Sequence, residues 1–185
     1  MKKLLLLLLC VPLIGLGQYT YIPDNNFEQA LINLGYDNVL DDSVLTGNIN
    51  TVTSLSVYSQ YISDLTGIED FTALTTLYCR NNQLTSLDVS GNTALTTLNC
   101  QYNQLTSLDV SGATALTTLN CTSNQLYGSS LDVSGNTALT YLKCQYNQLT
   151  SLDVSQNTAL TYLNCMGNGL TSLDVRNGNN TNITN

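Results

Sequence analysis

Leu95 to Ala115 reads LTTLNCQYNQLTSLDVSGATA, and the pattern recurs on both sides of it. Leu74 to Ala94 reads LTTLYCRNNQLTSLDVSGNTA, and Leu116 to Ala138 reads LTTLNCTSNQLYGSSLDVSGNTA. Leu139 to Ala159 reads LTYLKCQYNQLTSLDVSQNTA, and Leu160 to Asn180 reads LTYLNCMGNGLTSLDVRNGNN. Successive starts are separated by 21, 21, 23 and 21 residues, because the third unit carries two extra residues between Leu126 and Leu131. A divergent unit lies 22 residues ahead of Leu74, with Val52, Leu55, Val57, Ile62 and Leu65 but neither the Cys nor the Asn. A self-similar period of this length marks a stack of identical turns.

The spacing within one unit dictates its shape. Leu77 and Cys79 alternate with Thr76, Tyr78 and Arg80, so a short strand points two side chains inward and three outward. Asn82 ends that strand and Leu84 turns back inside. Leu87 and Val89 alternate around Asp88, which predicts a second extended segment. No unit has the length or the 3.6-residue period of a helix on its outer side. A single flat turn cannot bury its own apolar edge, so neighbours stack about 4.8 Å apart around one continuous core. The expected architecture is a mostly β repeat solenoid, right-handed, with short parallel strands and no convex helices.

The flanks differ from the repeats. Phe27, Ala30, Leu31 and Leu34 lie on one helical face, Asn25 and Glu28 have capping-box spacing, and Gly35 is a natural stop. Residues 18–51 are therefore expected to form an N-terminal α-helical cap, and 52–180 the solenoid of six units. After Val175 the chain turns polar and Asn-rich, and 181–185 read as a tail. Such a tail cannot cover an apolar edge, so the chain is expected to continue beyond Asn185, or that edge to be closed by a partner or to fray. Sequons stand at Asn179 and Asn182, and no weight is placed on them.

The first residues are Met1-Lys2-Lys3, followed by an apolar run from Leu4 to Leu16 and small residues at Gly15 and Gly17. This reads as a secretory signal, residues 1–17, too short for a span of about 20 residues. Lipid attachment at Cys10 is the weaker reading, because Leu7-Leu8-Leu9 precedes it where a small residue is wanted. With Lys2 and Lys3 removed, 3 of the 5 basic residues face 13 acidic ones, and net charge falls from −8 to −10. Such a chain is repelled by nucleic acid and by anionic membranes, and no membrane insertion is expected after cleavage. It has 0 His and 0 Trp, which excludes His-based triads and His-containing metal sites. Phosphate-binding Gly-rich loops and nucleophile elbows are also missing. No catalytic residue, cofactor or metal is expected, and the chain reads as a non-enzyme.

Repetition turns each repeated polar residue into a column. Cys79, Cys100, Cys121, Cys144 and Cys165 fill an inward position normally held by an aliphatic side chain. Their expected separation of about 4.8 Å exceeds the roughly 3.8 Å that disulfide Cβ atoms need, so five free buried thiols are expected rather than a metal site or disulfide framework. Asn82, Asn103, Asn124, Asn147 and Asn168 form a structural column, each amide serving backbone groups at a bend. Asp88, Asp109, Asp132, Asp153 and Asp174 form a third. Calcium is the sharp alternative there. Like charges about 4.8 Å apart in water repel by only about 0.9 kcal/mol, so local backbone hydrogen bonding suffices without metal. The Asp37–Asp42 stretch lacks the Gly and Glu of an EF-hand.

The first eleven positions of each unit follow L-x-x-L-x-C-x-x-N-x-L, the leucine-rich-repeat signature. With its N-x-L-T-x-L-D-V-S units, the chain resembles secreted bacterial leucine-rich-repeat proteins related to internalins, a type often found in bacteria with type IX secretion. The resemblance covers about residues 21–180, cap included. It implies surface binding and adhesion rather than catalysis, and relatives that often carry a C-terminal sorting domain or adhesive modules.

Function is then expected where the repeat fails to repeat. The outward strand positions are polar, nearly uncharged and dotted with Tyr. Tyr58, Tyr78, Arg80, Tyr102, Tyr141, Lys143, Tyr146, Tyr162 and Met166 are the ligand-binding candidates, with Tyr141 and Tyr162 stacked as an aromatic patch. Tyr suits binding surfaces, but Tyr and Thr also simply suit exposed strands. The insertion Tyr127–Ser130 is a further candidate. The leading expectation is a protein-binding module at a cell surface or secreted. Glycan binding, or a spacer or targeting region of a larger secreted enzyme, are the alternatives. Oligomeric state is not legible from the sequence.

Overall fold

The computed structural model describes residues 17–178. Apart from Gly17, the leader with Cys10 lies outside the described residues, as do the sequons and the 181–185 tail. The cap is built from β1 (Tyr19–Tyr21), α1 (Asn25–Asn33), β2 (Ser43–Leu45) and α2 (Thr46–Ile49). The solenoid follows as β3 (Ser54–Ser56), β4 (Thr76–Tyr78), β5 (Ser86–Asp88), β6 (Thr97–Asn99), β7 (Ser107–Asp109), β8 (Thr118–Asn120) and β9 (Tyr127–Gly128). It ends with β10 (Tyr141–Lys143), β11 (Gln148–Leu149), β12 (Ser151–Asp153), β13 (Tyr162–Asn164) and β14 (Ser172–Asp174).

One strand per turn joins a six-stranded sheet in the order β3-β4-β6-β8-β10-β13. Every pair is parallel and in register, so Leu55, Leu77, Leu98, Leu119, Leu142 and Leu163 lie one above another. The equivalent Leu and Val of each turn but the last are buried beneath them, as are four of the five repeat cysteines; in the last turn Leu173 is exposed. Burial of this kind stabilises by roughly 25 cal/mol per Å² of apolar surface. The second extended segment also forms, but in pieces: β5 pairs β7, and β12 pairs β14. The two inserted residues interrupt that line, and there β9 pairs β11 instead. Among the described residues of the repeats no α-helix occurs, and a single 3-10 turn, Ile68–Asp70, sits in the divergent unit.

The cap departs from the expected details. β1 and β2 form an antiparallel pair that the sequence did not disclose. Helix α1 buries Phe27, Ala30 and Leu31, and Phe27 stacks on Phe71 of the first turn at 6.4 Å between ring centroids. Leu34 is exposed, because the helix ends at Asn33 and Gly35 turns the chain away at φ +80. The capping-box expectation fails. Asp24, not Asn25, is the N-cap, accepting from the N–H groups of Asn26 at 2.9 Å and Phe27 at 3.0 Å. Glu28 is buried and reaches across the cap, accepting from the N–H groups of Asp41 at 2.9 Å and Ser43 at 3.0 Å.

The other oxygen of Asp24 ties cap to solenoid. It accepts from the Ser63 hydroxyl at 2.6 Å and from the N–H groups of Ser63 at 2.8 Å and Asp64 at 3.1 Å. Burial pushes the Asp24 carboxyl up, but the bonds from Ser63, Phe27 and Asp64 together outweigh it and hold the pKa below the ordinary 3.8.

Candidate functional site

The outward face of the six-stranded sheet gathers the variable residues. Pleating sends alternate side chains outward, and the in-register pairing aligns them in columns. Tyr141 sits beside Tyr162 in the pairing of β10 with β13. Their rings stack with centroids 4.3 Å apart and planes 12° from parallel. Lys143 Nζ lies 5.4 Å from the Tyr141 ring centre and 5.7 Å from that of Tyr162. Its pKa is raised, first by hydrogen bonding to the Tyr141 hydroxyl, so the ammonium is charged at neutral pH. At the other end of the sheet the Arg80 guanidinium lies 4.9 Å from the Tyr58 ring centre. Such cation–π contacts stabilise by about 0.5–1 kcal/mol when exposed. Between the two clusters the face is neutral, and Asn120 Nδ2 donates to Gln101 Oε1 at 2.8 Å.

Tyr102 and Tyr146 occupy the next column and carry a feature the sequence did not reveal. Both have φ +56, in the left-handed region, as do Asn81, Ser123 and Gly167 at the same place in their units. Both rings are about half exposed, at 53%. A Cβ at Gly167 would fall 2.6 Å from Tyr146 Cδ1, so the Tyr146 ring packs against the glycine of the following turn in space a side chain would need. Tyr78 and Met166 complete the exposed strip. Tyr127, in the insertion, is exposed but belongs to the β9–β11 pair rather than to this sheet. Tyr61, near the cap, is an exposed aromatic that sequence reasoning passed over.

The repeated residues are engaged in the scaffold. Each asparagine of the first column bridges turns: Asn103 Nδ2 donates to Cys79 O and Cys100 O at 3.0 Å, and Oδ1 accepts from Leu84 N–H at 3.1 Å. The cysteines are free thiols, and Cys121 Sγ donates to Lys143 O at 3.4 Å. Burial pushes the Cys79 thiol up to about 12 and the others up as well, which makes them poor nucleophiles and poor ligands. Each column Asp accepts from the N–H two residues on, as Asp109 does from Ser111 at 2.9 Å. That bond comes first among the causes holding Asp109 and Asp132 below the ordinary carboxylate range. Among the described residues, no group of three or more His, Cys, Asp or Glu is placed to hold a metal ion. Open clefts of about 450 and 480 Å³ flank the second line of strands, beside Asp64, Glu69 and Asp88 and beside Asp132, Asp153 and Asp174. They lie away from the Tyr strip.

A second asparagine column went unread in the sequence. Asn92, Asn136, Asn157 and Asn177 are buried, and Ala113 interrupts the series. Asn136 Nδ2 donates to Val110 O at 3.0 Å and Ala113 O at 2.9 Å. The signal was available in the recurring G-N-T-A and Q-N-T-A at the unit boundary.

No family model matches the chain. Over 72 residues it is 45% identical to internalin J of Listeria monocytogenes serotype 4b, a match covering 39% of this chain and 8% of that protein. The solved functional domain of internalin J, described as including a cysteine ladder, aligns with 86% of this chain at 44% identity and a TM-score of 0.76. The chain spans only 36% of that domain. Internalin C2 of Listeria monocytogenes aligns with 83% of the chain at 23% identity and a TM-score of 0.69, covering 74% of that structure, a likeness of fold alone. In sequence and in backbone this chain is an internalin-like leucine-rich-repeat solenoid.

Proposed function

We propose that the chain is a non-catalytic binding and adhesion module, secreted or displayed at the cell surface, that takes a protein ligand on the outward face of its six-stranded sheet. The carrying observation is the Tyr141–Tyr162 stack with Lys143 above it. Stacked Tyr rings offer a large apolar area that loses little entropy on binding, and aromatic clusters of this kind dominate binding energies. Internalin-like repeat domains are generally protein-interaction modules, which supports the same reading. The charged and apolar leader at Met1–Gly17 supports export, and no helix of the described residues is long and apolar enough to cross a membrane.

The test uses arrays of purified cell-surface ectodomains, probed with the wild-type protein and with Tyr141→Ala/Tyr162→Ala. Loss of capture with an unchanged melting temperature supports the reading, and unchanged capture removes it. Glycan capture is the second reading, favoured by the half-exposed Tyr146 ring held against Gly167. A glycan array probed with the same two proteins separates sugar from protein ligands.

A further inference from the structure

The placement of positive charge specifies the partner's chemistry, given the binding face just proposed. The chain has 5 Lys and Arg against 13 Asp and Glu. Among the described residues the cations are Arg80, Lys143 and Arg176. Arg176 is spent within the scaffold, donating through Nε and Nη2 to the Asp174 carboxylate. Arg80 and Lys143 are used differently. Neither forms an ion pair among the described residues. Each rests on Tyr rings instead, which hold a cation in place without neutralising it. The outward positions of the sheet include no Asp or Glu at all, from Ser54 to Met166. An acidic protein therefore presents one face whose charges are only positive.

Their spacing is set by the sheet. Lys143 aligns with Tyr78 through the register of β4, β6, β8 and β10. Arg80 lies two residues beyond Tyr78. Three strand steps of about 4.8 Å and an offset of about 6.6 Å separate the two backbone positions by about 16 Å. Arg80 leans toward Tyr58 on the β3 side and Lys143 toward Tyr162 on the β13 side, so the charges stand farther apart than their backbones. We propose that the partner is a protein surface bearing two carboxylates more than about 16 Å apart on either side of an uncharged patch, paired with Arg80 and Lys143. The neutral middle, Asn99, Gln101 and Asn120, meets the uncharged patch. A polyanion such as nucleic acid or a sulfated polysaccharide fits poorly: its many other charges would meet a strongly acidic protein.

The test pans a displayed library of helical-scaffold proteins with one randomised face against the wild-type chain. Arg80→Gln/Lys143→Gln and Tyr141→Ala/Tyr162→Ala serve as counter-targets, each checked for an unchanged melting temperature. The expected clones carry paired Asp or Glu, lose about tenfold or more in affinity for the Gln variant, and weaken as NaCl rises from about 0.05 to about 0.5 M. Captured clones without acidic enrichment, acidic clones that bind the Gln variant equally well, or no captured clones overturn the inference. Neutral or basic clones lost on Tyr141→Ala/Tyr162→Ala overturn it while sparing the binding face. Clones indifferent to that Tyr variant overturn the face as well.

Discussion

At the scale of single residues, the left-handed column sets backbone strain against the choice of side chain. Non-glycine residues in that region carry a cost of about 1–2 kcal/mol, least for Asn and Asp, whose short side chains bond locally. Asn81 and Gly167 fit their places, whereas Tyr102 and Tyr146 at φ +56 do not. Tyr has no short polar side chain to bond locally, and both rings are half exposed, so burial compensates only in part, with the Tyr146 ring packing against Gly167. Strain only partly offset by packing makes Tyr102 the position at which to test for use of the ring. Tyr102→Asn is expected to raise stability by about 0.5–1 kcal/mol, measured by urea denaturation, and to weaken ligand capture on the arrays. A loss of stability would show instead that the Tyr102 ring is part of the packing.

At the scale of elements, the two asparagine columns look alike in sequence and differ in consequence. Asn103 Oδ1 is the partner of the buried Leu84 N–H, whereas the Cys79 and Cys100 carbonyls that its Nδ2 serves also accept from Asn82 and Asn124. Asn136 donates to Val110 O and Ala113 O, but these carbonyls already accept from Ala113 N–H and Leu116 N–H, and its own Oδ1 is buried without a partner. Leaving a buried group unbonded costs more than losing a second bond. Asn103→Ala is expected to cost about 3 kcal/mol and Asn136→Ala about 1 kcal/mol, and Ala113 is the natural precedent for the milder change. Equal losses in chemical denaturation would overturn the distinction. The same contrast explains what the sequence made legible. Inward Leu, Val and Cys could be read because alternation and the 21-residue period are local patterns. The outward strip followed from the same alternation. The Asp24 clamp could not be read, because its partners Ser63 and Asp64 lie 39 and 40 residues away and only stacking brings them near. Nor could the left-handed Tyr residues, because Tyr is not a residue that announces positive φ.

At the scale of the whole molecule, the cysteine column runs through five of the six turns, from Cys79 to Cys165, and makes the solenoid's stability collectively dependent on pH. A thiol is neutral when protonated, so burial raises its pKa, from 9.0 to about 12 at Cys79. Cys100, Cys121 and Cys144 are likewise raised well above 9.0, through burial first and then their neighbouring thiols. In the unfolded chain each ionises near 9.0, whereas in the folded one it stays protonated. The unfolded state thus sheds protons that the folded state keeps, and stability falls as pH rises. The contribution is fully present below the unfolded pKa and is lost across the interval from 9.0 to about 12 at Cys79. Each buried thiol removes about 1.4 kcal/mol per pH unit over that interval, and several act together. The melting temperature is expected to be flat in pH up to about 8 and to fall ever more steeply above about 9, with cooperative loss of the whole solenoid before about pH 12. Cys121→Ala should lower the melting temperature at neutral pH through its cavity and make the alkaline fall shallower. Thiol labelling at about pH 8 distinguishes the positions: Cys165, half-buried in the last turn, reacts first, and the four buried thiols react only at the rate of unfolding. Five fast native thiols, or a melting temperature indifferent to alkaline pH, would show that the column is not sealed within the core.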